Sequence, residues 1–118
     1  MISTLVLLAI ASSGCMDAGS SPEAGELVIE NSDTQNHNVT LEWGRKNEIL
    51  TISPDSSRVL RIADSPGNYT IHAIIDESKR VNHSVEYYGA GEQGEKPGGP
   101  VVYLYIESNS TYFSWSYD

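Results

Sequence analysis

The chain has 118 residues, 39% of them hydrophobic and 19% charged, which at roughly one domain per 100 to 200 residues allows one folded domain and leaves no room for a second. Sixteen Asp and Glu against seven Lys and Arg give a formal net charge of −9, all of it after residue 15, so a nucleic-acid or anionic-headgroup binder, which runs on Lys and Arg, is excluded. The single cysteine, Cys15, excludes an internal disulfide, a multi-cysteine zinc site and a CxxC redox pair.

The first predicted element is an export signal over residues 1–15. Leu5 to Ala11 is an apolar run of seven residues, closed by Ser12-Ser13-Gly14-Cys15 and far short of the roughly 20 residues that span a bilayer. The segment resembles a prokaryotic lipoprotein signal, whose lipobox sets small residues before a cysteine that is lipidated and becomes the mature N-terminus. Ser13 and Gly14 fit that pattern, which implies lipidation at Cys15 and a membrane partner held through the lipid. Ser12 stands where the pattern usually has Leu, and Met1-Ile2-Ser3-Thr4 lacks the usual positive charge. The signal therefore starts further upstream or is a reduced one, and a cleaved secretory signal with an incidental cysteine is the alternative.

Residues 16–25, Met16 to Gly25, hold one large apolar side chain and read as a flexible tether with nothing to bury. The folded domain is then 26–118. Alternation of apolar and polar residues predicts eight strands there: 27–31, 37–43, 48–52, 58–62, 68–75, 81–88, 101–107 and 111–117. In the second, Val39, Leu41 and Trp43 face inward; in the fifth, Tyr69, Ile71, Ala73 and Ile75 do. Turns fall at Ser53-Pro54-Asp55-Ser56 and Asp64-Ser65-Pro66-Gly67. A two-residue turn at Asn109-Ser110 would set Ile106, Leu104 and Val102 opposite Phe113, Trp115 and Tyr117, and would leave Tyr103 and Tyr105 outward, opposite Ser116 and Ser114.

Eight antiparallel strands in one domain predict an all-β protein, a single two-sheet antiparallel sandwich with an immunoglobulin-like Greek key, a closed barrel being the alternative. Ser65-Pro66-Gly67-Asn68-Tyr69 resembles the start of a strand in fibronectin type III and related surface modules, which implies a Tyr69 hydroxyl reaching back to the backbone. Ile52-Ser53-Pro54-Asp55 is similar to the apolar-x-Pro-Gly turn of such domains, with Asp55 in place of Gly. Together with the lipobox, the acidic balance and Leu27-Val28-Ile29-Glu30-Asn31, the chain resembles small exported β-sandwich lipoproteins of haloarchaea. That resemblance implies a cell-surface protein whose carboxylates keep it hydrated in high salt.

Chemistry is sparse. A blue-copper site needs a thiolate with two His, and Cys15 lies in the signal. His37, His72 and His83 fall on three separate strands, His72 outward and the other two at inward parity, and read as satisfied or surface histidines. No Gly-x-Ser-x-Gly elbow surrounds a serine, and Asp76, Glu77 and Glu86 read as solvated carboxylates unless the fold pairs them. The loop from Gly89 to Pro100 is Gly-rich without Gly-Lys-Ser/Thr, and its Glu92 and Glu95 repel phosphate, which leaves connector or recognition tip. Four sequons make Asn38, Asn68, Asn82 and Asn109 glycosylation candidates, each with its acceptor outward and Asn109 in a turn.

These residues predict a non-enzymatic, extracytoplasmic surface module without a catalytic, metal or cofactor site, exported and anchored at the cell surface. The alternative is a module that binds a glycan or protein partner through Tyr103 and Tyr105 or through the Gly-rich loop.

Overall fold

A computed structural model describes residues 21–89 and 97–117. Cys15, the signal, the first half of the tether and the middle of the Gly-rich loop lie outside the described residues. Among the described residues eight strands follow in chain order: β1 (Glu26–Asn31), β2 (His37–Trp43), β3 (Lys46–Ile52), β4 (Ser56–Arg61), β5 (Gly67–Ile75), β6 (Lys79–Tyr87), β7 (Val101–Ile106) and β8 (Thr111–Ser116). They form two four-stranded sheets, ordered β4-β1-β7-β8 and β3-β2-β5-β6.

The protein is therefore the all-β two-sheet sandwich that the alternation predicts. Strands β2, β3 and β4 follow one another around it and β1 closes beside β4, a Greek-key path. One pairing departs from the antiparallel expectation: β1 runs parallel to β7, with Leu27 beside Val102 and Ile29 beside Leu104. Both strands start at the same end of the sandwich, and a parallel neighbour is reached only by a crossover, which β2 to β6 supply.

Alternation decides what is buried. Leu27 and Ile29 of β1, Val39 and Leu41 of β2, Ile71 and Ala73 of β5, and Val102, Leu104 and Ile106 of β7 meet between the sheets in one aliphatic core. Trp43 and Tyr87 close it at one end. That end also carries the β2–β3 turn, the segment Ile62–Gly67, the residues after β6, the C-terminal end of β8 and the root of the tether.

The root is held by backbone. Gly25, at φ +93°, accepts hydrogen bonds at its carbonyl from the Ile62 and Ala63 amides (2.8 and 3.0 Å). Arg61 adds an ion pair to Glu23 at 2.5 Å. Close by, the Tyr69 hydroxyl donates to the Ser65 carbonyl at 3.0 Å, the backward reach that the Pro66-Gly67 resemblance implies.

At the opposite end Asn31, only 1% exposed, joins the two sheets. Its Nδ2 donates to the carbonyls of Gln35, Ile52 and Ser53, and its Oδ1 accepts from the Asp33 amide at 2.9 Å. A buried amide keeps its place only when its donors and acceptor are satisfied, and here they are.

The last hairpin corrects the predicted register. Ile106 pairs with Thr111, Leu104 with Phe113 and Val102 with Trp115, so the turn is Ser108-Asn109, closed by the Glu107 amide on the Ser110 carbonyl at 2.8 Å. The slip is two residues, and the side-chain period of a strand is two, so every face survives while every partner changes.

Candidate functional site

Two aromatic surfaces stand out, one predicted and one not. Tyr103 and Tyr105 lie on the outer face of the sheet β4-β1-β7-β8, as expected, but opposite Ser114 and Tyr112 rather than Ser116 and Ser114. Their rings are parallel within 2° at 5.7 Å, and Tyr112 continues the row at 5.4 Å from Tyr105. Both are half-buried against neighbours on the same face, where Val28 pairs with Tyr103 and Glu30 with Tyr105. Burial, then the charge of Glu30, raises the Tyr105 phenol above its ordinary range. The Tyr112 hydroxyl donates to Glu107 at 3.0 Å, which fixes the far end of the row.

The second surface is a groove of about 510 Å³ between the edge strands β6 and β8, lined by His83, Glu86, Tyr88, Pro100, Trp115 and Tyr117. Trp115 and Phe113 have inward parity, yet Trp115 is 53% exposed, because β8 is an edge strand and, among the described residues, the β6 edge is what stands opposite it. His83 fills part of that gap, stacked on Trp115 at 4.9 Å and on Phe113 at 5.5 Å. Burial there lowers its pKa and so favours the uncharged ring. Tyr88 and Tyr117, just beyond the ends of β6 and β8, are 59% and 65% exposed.

The three histidines do not converge. His72 is outward and exposed on β5, and His83 stacks in the groove. His37, at the opposite end, has both ring nitrogens on carboxylates: Nε2 at 2.7 Å from Asp33 and Nδ1 at 2.5 Å from Asp76. Asp76 sits at φ +51° in the β5–β6 turn and also accepts from the Asn38 amide at 2.9 Å. Burial would lower the His37 pKa, but the hydrogen bonds and charges of Asp33 and Asp76 outweigh it and raise it. The hydrogen bond from His37 leads in holding Asp33 low, and for Asp76 the Asn38 amide and His37 together overcome burial. This ion triad ties the β1–β2 loop to the β5–β6 turn, and Glu86 lies at the far end of the sandwich opposite Asn68, so Asp76 and Glu86 are not brought together.

The triad sets a pH dependence. A raised His37 stabilises fully below its ordinary pKa of about 6.5 and loses that contribution as pH rises through the raised value. Lowered Asp33 and Asp76 stabilise above their ordinary range and lose that as pH falls through their folded values, while the lowered His83 destabilises below about pH 6.5. As pH rises from about 6.5 through the raised His37 value, the thermal midpoint should fall, and that fall should vanish in His37→Gln. Parallel melting curves of the two proteins at several pH values decide it.

All four sequon acceptors, Asn38, Asn68, Asn82 and Asn109, are exposed. Asn38 is engaged through its side-chain oxygen, which accepts from Thr51 Oγ1 at 2.9 Å, and Asn109 sits at the corrected turn. Compared with known proteins, the chain matches no family model and no curated protein is similar to it.

Proposed function

We propose that this chain is a lipid-anchored, extracytoplasmic β-sandwich that acts as a surface module by binding rather than by catalysis. The observation that carries this reading is the spacing of its parts. A lone thiol behind Ser13-Gly14 ends an apolar run, and among the described residues hydrogen bonds to the domain already hold Glu23 and Gly25, within ten positions of it. A diacylglyceryl group supplies two chains, where one acyl chain anchors only marginally. In cells making the intact chain the protein should sediment with membranes, and Cys15→Ser should move it to the soluble fraction; equal fractionation of the two would refute the anchor.

A glycan or protein is the second partner class, supported by the parallel rings of Tyr103 and Tyr105. Parallel phenol faces on neighbouring positions of a rigid strand offer stacking area at little entropic cost. Binding on a glycan array or in pull-downs should disappear in the double variant Tyr103→Ala with Tyr105→Ala. The pair also covers Val28, so the thermal midpoint is measured alongside: lost binding with a folded domain supports a ligand platform, and retained binding removes it.

A further inference from the structure

We infer that the aromatic corner formed by Tyr88, Trp115 and Tyr117 is the face on which the anchored domain rests against the bilayer, with its rings at headgroup level; this rests on the proposed anchoring at Cys15. The three line one groove, whereas Ile49 lies on the outer face of one sheet and Val59 and Tyr112 on that of the other.

Position makes the corner a membrane face. It lies beside the tether root through a short chain of neighbours. A Cβ on Gly25 would stand 3.2 Å from the Pro97 ring, and Gly98 exchanges backbone hydrogen bonds with Tyr88 at 2.9 and 2.5 Å. Ten residues from Cys15 to Gly25 reach at most about 35 Å, so of the two ends of the sandwich this is the one the tether holds nearer the lipid surface. Tethering at that range gives an effective concentration on the order of millimolar, and a weak surface contact is then populated.

The side chains fit the same surface. Trp and Tyr, apolar rings with one polar atom, favour the headgroup region over both water and hydrocarbon. The net charge of −9 and the Glu86 carboxylate in the lining oppose anionic lipid, so the partner is a zwitterionic surface met by rings, not a polybasic contact. His83 stacks on Trp115 at 4.9 Å and packs against that ring from the sandwich side.

The lone cysteine and the two tryptophans make the test direct. Protein from Cys15 onward, which contains every described residue, is coupled through that thiol to a maleimide phospholipid in phosphatidylcholine vesicles, which anchors it whether or not cells lipidate it. Trp43 is 6% exposed and enclosed in the core, so quenching by bromines near the head of the acyl chains reads Trp115. Emission should shift to the blue and fall measurably against unbrominated vesicles, as expected for an indole at the interface. In Trp115→Phe, checked for an unchanged melting curve, the quenching should vanish. Equal emission in the two vesicle types, quenching that persists in Trp115→Phe, or a Trp115 response to soluble saccharide but not to vesicles would overturn the assignment. Failure here with Cys15→Ser still released in cells removes the membrane face and leaves the anchor; quenching here with no release in cells removes the anchor alone.

Discussion

Asn31→Ala should lower the thermal midpoint by about 10–20 °C, corresponding to a loss of about 2–3 kcal/mol in a domain of this size. The amide is buried, and its Nδ2 reaches carbonyls on both sides of the sandwich: Gln35 after β1, and Ile52 and Ser53 at the end of β3. Truncation removes the donor and leaves those oxygens facing a void, and an unsatisfied buried carbonyl costs about 1–3 kcal/mol. Asn31→Asp is the sharper variant. It keeps an acceptor for the Asp33 amide but turns a carboxylate toward the same carbonyls, so it should destabilise at least as much. Thermal melts of both proteins check this, and a midpoint within a degree or two of the parent would show that the amide does not join the sheets.

Gly25→Ala should be of similar size, about 2–3 kcal/mol, for a reason rooted in backbone. At φ +93° a side chain is strained, and the added Cβ would lie 2.6 Å from the Ala63 carbonyl oxygen and 2.7 Å from an Arg61 nitrogen. Arg61 can swing away; the carbonyl cannot without disturbing the two amides that bind Gly25. The damage should be local first. Limited proteolysis between Ser21 and Glu26 should accelerate while the circular dichroism of the sandwich persists, and an unchanged cleavage pattern with an unchanged midpoint would show that the root is not held there.

The strands were legible because one side of each sheet is core and the other is largely solvated, so alternation marks them; His37–Trp43 comes out to the residue. Pairing was less legible. Nothing local in Leu27-Val28-Ile29 says that its neighbour is Val102 to Leu104, some 75 positions on and parallel. The turn at Ser108-Asn109 was missed by one position because a two-residue slip leaves the same residues on the same faces, and the pattern alone does not separate the two registers.

The surfaces divide in the same way. Tyr103 and Tyr105 were readable as outward by parity, but the Tyr112 that extends them depends on the corrected register. Trp115 has inward parity and sequence reasoning pairs it into the core; its exposure follows from β8 being an edge, a fact of topology. The His37 triad needed Asp76, 39 positions away, whereas Asn31 carried a usable local sign, an Asn whose oxygen takes the amide two residues on.

The central claim is that the domain is displayed from a lipid on Cys15, and the intact mass of the protein extracted from membranes of cells expressing the full chain tests it most directly. The extracted chain should begin at Cys15 and carry the added mass of a thioether-linked diacylglyceryl group. A chain of unmodified mass, or one that begins elsewhere with Cys15 still a free thiol, would contradict it.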